Sequence, residues 1–205
     1  MLFEYEYRTI EKESTGEYRD RGSRFIGFCY PVKTEPEVKE FLKKIKKDHP
    51  KANHHCYAFR LGPAKTIFRF SDDREPSGTA GKPVFGVIQS NDLTDILIIV
   101  VRYFGGSLLG VSGLINAYRT AALEAVKSNS IVTKPIVERY ELGFEYPMMS
   151  EVMLIIRQSK ATVLHQDLTE KCILQIEIPR IMADEFLAKL NNSQVLKNTV
   201  QIKIL

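Results

Sequence analysis

The pattern that begins at Pro135 constrains the fold more than any other feature. Tyr140, Leu142, Phe144 and Tyr146 alternate there with Arg139, Glu141 and Glu145, the period-2 signature of a strand with one covered face. Pro147 opens a run in which Met148, Met149, Val152, Met153, Ile155 and Ile156 fall at helical spacing, proline being tolerated in a first turn. A short strand near Thr162 to Gln166, a tight turn over 167–170 and a strand with Cys172, Leu174, Ile176 and Ile178 on one side follow. Pro179 starts a second helix through Met182, Phe186, Leu187 and Leu190, which Asn191 and Asn192 stop, and Val200, Ile202 and Ile204 close the series. The order β-α-β-β-α-β within about 70 residues predicts a split βαβ, ferredoxin-like sandwich. Two helices cover one side of its antiparallel sheet, and the other side is free to receive something.

Upstream, the segment KSNSIVTKP at Lys127 to Pro135 ends a helical pattern in Ser and Asn before a Pro, which predicts two domains, 1–134 and 135–205. The first is less regular, and the class is α+β. Strands are expected near Glu4 to Ile10 and Ser23 to Val32. A helix follows in which Val38, Phe41, Leu42 and Ile45 keep i, i+3, i+4, i+7 spacing, with Thr34 and Glu37 placed as a capping box. Its far side holds Lys43, Lys44, Lys46 and Lys47, a face of the kind that is usually only solvated surface. A strand pair at Asn53 to Leu61 and Lys65 to Phe70 turns at Gly62 and Pro63, and the aliphatic strand Ile96 to Val101 leads through a glycine-rich loop into a long helix near Ser112 to Ser128.

Composition removes several classes. With 44% hydrophobic and 26% charged residues, the chain lies far from the corner where chains stay disordered. The longest aliphatic run, Ile96 to Val101, is much too short to span a bilayer as a helix. Met1 to Glu13 has no apolar core segment and reads as folded chain, not as a secretory leader. Cys29, Cys56 and Cys172 are odd in number and show no CxxC spacing, so neither a disulfide framework nor a zinc ribbon is expected, and a reducing cytoplasm is. The net charge of +4 is uneven: residues 1–134 hold 21 basic and 16 acidic side chains, residues 135–205 hold 8 and 9. That permits a polyanion partner without requiring one.

Three constellations can carry chemistry. In the first hairpin strand His54, Cys56, Ala58 and Arg60 share one side, while His55, Tyr57, Phe59 and Leu61 share the other, the expected core side. If the turn pairs Leu61 with Lys65, Lys65 and Arg69 lie beside His54 and Arg60 and make a cationic face; the alternative is that Arg60 and Arg69 pair with acids such as Asp72, Asp73 and Glu75. Cys56 reads as a core-edge residue more than as a nucleophile. The second constellation, SDDREPSGTAGKP from Ser71, exposes backbone NH groups and hydroxyls before a helix start; its three carboxylates can hold a hard cation, although a polar turn explains them better. The third, RYFGGSLLGVSG from Arg102, sets Gly105, Gly106, Gly110 and Gly113 between a buried strand and a helix N-terminus. It is neither a P-loop nor GxGxxG, and an anion pocket and close loop packing stand as equal readings.

HHCYAFRLG at His54, SDDREPSGTAGKP at Ser71 and IIVVRYFGGSLLGVSGLINAY at Ile98 together resemble the IMPACT family, in the short branch that holds the bacterial YigZ proteins. The resemblance covers nearly the whole chain. It implies an N-terminal domain similar to the second domain of a ribosomal small-subunit protein, with a left-handed βαβ crossover, and a C-terminal domain similar to ferredoxin-like domains of elongation factor G. Where the family usually reads DDGEPSGTAG, this chain has Arg74, which puts a glycine-dependent backbone shape in question. Eukaryotic members regulate translation under amino-acid starvation mainly through an extra N-terminal domain, so that role does not carry over. For bacterial members the resemblance suggests a nucleic-acid or ribosome-associated partner.

The expected function is therefore non-catalytic: a cytoplasmic regulatory protein that binds RNA or the translation machinery, with no cofactor, no metal and no membrane contact. The residues expected to make the site are His54, Arg60, Arg69, Lys82, Arg102 and Tyr103, with Gly105 and Gly106 admitting the ligand. Their cationic groups are expected to converge on one hollow. One alternative is an enzyme or sensor for a small phosphorylated metabolite or nucleotide, with Glu75 as acid or base and Ser77 and Thr79 as hydroxyl contacts. Another is a protein-interaction adaptor that uses the open side of the C-terminal sheet.

Overall fold

A computed structural model of the chain describes residues 5–169, 171–197 and 199–205. Glu4 and Glu170, within an expected strand and turn, lie outside them. The chain forms two compact units, Tyr7–Lys134 and Pro135–Leu205, with residues 5 and 6 belonging to the second. The class is α+β.

In chain order the first part runs β1 Glu6–Ile10, β2 Ser14–Asp20, β3 Ser23–Pro31, α1 Glu35–Asp48, β4 His54–Leu61, β5 Ile67–Ser71, α2 Gly81–Ser90, β6 Ile96–Tyr103, α3 Gly110–Lys127 and β7 Ile131–Pro135. β1 and β7 form a small two-stranded sheet. The main sheet has the order β2-β3-β6-β4-β5, antiparallel throughout.

Its centre is β6, because Ile96 through Val101 are aliphatic on both sides of the pleat and all fully buried. Leu97, Ile99 and Val101 pack on the α1 side with Tyr30, Phe59 and Leu61; Ile96, Ile98 and Val100 pack on the side of α2 and α3. Burying each such side chain contributes about 1.5–3 kcal/mol. Helices on both faces correct the expectation of a single core side for the hairpin: Cys56 and Ala58 are as buried as Phe59. The start of α1 is the predicted capping box, with Thr34 Oγ1 accepting from Glu37 N at 3.4 Å and Glu37 Oε2 accepting from Thr34 N at 3.2 Å.

Periodicity does not predict β2. Its sequence STGEYRD has no apolar alternation, and its alternate residues are only half-buried where it lies on β3 and α3.

The second unit runs β8 Val137–Phe144, a short 3-10 turn, α4 Met149–Gln158, β9 Thr162–Leu168, β10 Cys172–Pro179, α5 Arg180–Asn192 and β11 Gln201–Ile204. Its strand order is β11-β8-β10-β9, each pair antiparallel. Tyr140, Leu142, Phe144, Leu174, Ile176 and Ile178 line the covered face against Val152 and Ile156 of α4 and Phe186 and Leu190 of α5. The opposite face is polar: Arg139 Nη2 donates to Glu177 at 2.8 Å and Gln175 Nε2 to Glu141 at 3.1 Å.

Candidate functional site

The loop after β5 folds around Asp72. Its Oδ1 accepts from the amides of Ala80 and Gly81 at 3.0 and 2.8 Å, and its Oδ2 from Gly78 at 2.9 Å. Ala80 at the start of α2 has no side chain to cap it, so a carboxylate eight residues upstream satisfies those donors. Asp73 Oδ2 accepts from His55 N at 2.7 Å. Both acids thus anchor backbone, and among the described residues no group of three or more His, Cys, Asp or Glu is arranged to hold a metal. The backbone bends at Asp73 and Arg74, with φ of +40° and +72°. Arg74 therefore keeps a left-handed shape that glycine adopts without strain, at a cost of about 1–2 kcal/mol.

Glu75 turns inward. Its Oε1 accepts from Arg102 Nη1 at 2.7 Å and from the Tyr118 hydroxyl at 2.8 Å, with both ionic side chains over nine-tenths buried. Cross-strand pairing puts His54 directly opposite Arg102. His54 Nδ1 lies 2.9 Å from the Asp73 carbonyl, which can only accept, so Nδ1 carries the proton and Nε2 faces Glu75 at 3.7 Å. The Arg102 guanidinium sits 5.5 Å from the ring centres of both Phe25 and Phe104, which shield it, and its Nε has no protein partner.

Burial, followed by the neighbouring Cys56 and Glu75, raises the Tyr118 phenol far above its usual range, so it remains a donor. Burial likewise pushes the Cys56 thiol up, and its Sγ donates to the Asp72 carbonyl at 3.0 Å; it is a protonated core thiol, not a nucleophile.

His54, Glu75 and Arg102 thus meet, but the expected cationic hollow does not form. Arg60 Nε donates to the Leu93 carbonyl at 2.6 Å, and Arg60 shares Asp92 with Lys65. The turn pairs Leu61 with Ile67, not Lys65, and places Arg69 opposite Phe59. Directly opposed residues share a face, so Arg69 is exposed on the side away from Arg60, 3.8 Å from Glu35. Tyr103 lies on the α1 side of β6, its hydroxyl 2.8 Å from His49 Nδ1.

The second and third constellations act mainly within the fold. Thr79 is buried and donates to the Pro76 carbonyl at 2.7 Å, while Ser77 and Lys82 are exposed. A Cβ at Gly105 would stand 1.9 Å from the Gly22 carbonyl carbon, so this glycine serves close loop packing. Gly106 is exposed with φ of +88°. The amides of Phe104 and Gly105 are already taken by Asn53 Oδ1 and Ser23 Oγ.

The largest group of free cations lies elsewhere. On α1 and just beyond it Lys39, Lys43, Lys44, Lys46, Lys47 and Lys51 are exposed, and among the described residues none forms an ion pair. Lys44 Nζ lies 5.9 Å above the rings of Tyr30 and Phe41, themselves stacked at 4.1 Å. The charge run is legible in the sequence; the lack of acids paired to it is not.

Comparison with known proteins places the chain. Residues 21–126 match the Impact N-terminal domain. The IMPACT family member YvyE of Bacillus subtilis is 35% identical over 156 residues, 76% of this chain and 72% of that protein. The IMPACT family member YigZ of Escherichia coli is 32% identical over 170 residues, 82% and 83% of the two chains. A solved structure described only as a hypothetical protein superposes with a TM-score of 0.78 at 28% identity, covering 99% of this chain and 98% of that one. The chain belongs to the IMPACT family and is a YigZ-like bacterial member of it.

Proposed function

We propose that this protein is a non-catalytic regulator that binds RNA, in association with the translation machinery, through the lysine face of α1. The observation that carries this reading is the set of six exposed, unpaired lysines at 39, 43, 44, 46, 47 and 51. Unpaired ammonium groups along one helix and just beyond it can neutralise successive phosphates and release their counterions, whereas Arg60 and Arg102 are matched to Asp92 and Glu75. Translation enters through the resemblance. A left-handed βαβ crossover in the N-terminal unit and a ferredoxin-like sandwich in the C-terminal one are the domain types we assign on the same basis.

The test is fluorescence anisotropy of the full chain with labelled single-stranded RNA. Affinity should fall about tenfold or more between low and moderate salt. A flat response, or no binding at low salt, removes the reading.

A second reading, a sensor of a small phosphorylated molecule, is favoured by one observation: the half-buried His54 and the partnerless Arg102 Nε beside Glu75. Here Glu75 holds the Arg102 guanidinium in place, and Ser77 and Lys82, exposed on the same loop and the start of α2, are the nearest candidate contacts in sequence. Thermal stabilisation by a single nucleotide or phosphometabolite supports it; no stabilisation across a screen removes it.

A further inference from the structure

Glycine inside a helix costs stability relative to alanine, so it calls for a reason. Gly86 sits in the middle of α2 and has none within the fold: a Cβ built on it meets no atom within 4 Å, and its φ is not positive. The other glycines of this unit are accounted for. Gly16, Gly27, Gly81 and Gly105 have backbone where a Cβ would stand, Gly22, Gly62, Gly78, Gly106 and Gly110 have positive φ, and Gly113 would meet Leu109 at 3.0 Å.

The dent at Gly86 opens into a groove of about 610 Å³ between α2 and α3. Ile115, Arg119 and Leu123 follow one another at i, i+4, i+8 along the α3 wall, and Lys82 and Gly86 at i, i+4 along the α2 wall. Pro83 and Val87 complete an apolar floor. No acid lines the groove, and its two cations, Lys82 and Arg119, are exposed and unpaired among the described residues.

We propose that this groove seats an amphipathic helix of a protein partner. The partner's apolar stripe rests on Val87, Ile115 and Leu123, its backbone comes close at Gly86, and carboxylates flanking the stripe meet Lys82 and Arg119. Charge complementarity selects an acidic helix. Two cations and no aromatic ring in the lining suit RNA poorly, and a groove open along one side encloses no acyl chain. The surface lies on the sheet face opposite α1, so it is independent of the lysine face.

The probe is a labelled helical peptide with leucines at i, i+3, i+4 and i+7 flanked by glutamates, titrated against the full chain, with the same stripe flanked by lysines as control. The glutamate peptide should bind at least about tenfold more tightly than the lysine peptide; Arg119→Glu, which leaves Lys82 as the one cation of the groove, should remove that preference, and Lys82→Glu with Arg119→Glu should reverse it. Gly86→Leu, which fills the dent, should abolish binding. Gly86→Ala should raise the Tm of the free chain by about 2–4 °C while weakening the peptide. Equal binding of the two peptides, no binding of either, or an unchanged affinity in Arg119→Glu and Gly86→Leu would overturn the proposal. So would displacement of the glutamate peptide by RNA or by a long-chain carboxylate, or concentration-dependent self-association that Gly86→Leu removes.

Discussion

The strand arginines and the helix lysines of the N-terminal unit use positive charge in opposite ways. On the α2–α3 side, Arg102 and Arg60 are buried and matched to Glu75 and Asp92, so they hold the fold together. On the α1 side, six lysines reach solvent with no acid matched to them. Net charge alone does not distinguish these cases. A cation becomes available to a ligand only when the fold leaves it unpaired, and Arg60 and Arg102 are matched by acids from loops, Asp92 after α2 and Glu75 before it.

The comparison predicts a large stability cost on the first face. Glu75→Gln leaves the Arg102 charge buried without its counter-ion and should destabilise the chain by about 3–5 kcal/mol, read from urea unfolding. A loss below about 1 kcal/mol would mean that this face is not built on the pair. Tyr118→Phe removes one hydrogen bond to the same carboxylate and should cost about 1.5–3 kcal/mol in the same assay. Arg74→Gly relieves a φ of +72° in an exposed residue and should stabilise by about 1 kcal/mol, with no change if the loop relaxes around arginine.

The smallest of the stability effects depends on pH. Burial lowers the His55 pKa below its ordinary value of 6.5, although the His49 carbonyl and Asp73 oppose this. Between the folded and unfolded values the unfolded chain binds more protons, so this contribution is complete above about pH 6.5 and falls away on acidification toward the lower, folded value. Urea unfolding at successive pH values should show that decline in the native chain and a smaller one in His55→Gln; identical profiles would remove His55 from the account.

Periodicity makes most of the scaffold legible. The capping box at Thr34 and Glu37, the aliphatic β6 and the alternation from Arg139 to Phe144 each point to one local structure. β2 escapes because its partial burial comes from Ser14, Gly16 and Tyr18, which do not alternate as apolar residues. The site is harder to read, because register decides it. Lys65 has φ of +59° in the turn, and pairing resumes only at Ile67, so Arg69 falls on the far side from Arg60. The loop acids are visible, but their separate partners, helix start for Asp72, strand amide for Asp73 and guanidinium for Glu75, depend on how distant segments meet.

The contrast between the faces is tested most directly by the salt dependence of RNA affinity in the native chain and in a variant carrying Lys39→Gln, Lys43→Gln, Lys46→Gln and Lys47→Gln. These exposed changes should leave stability within about 0.5 kcal/mol. The slope of log affinity against log salt should flatten by about 0.7 for each phosphate that is no longer neutralised, with affinity down about tenfold or more at low salt. An unchanged slope in a folded variant would contradict the account, because the polyanion would then be held by cations other than those α1 leaves free.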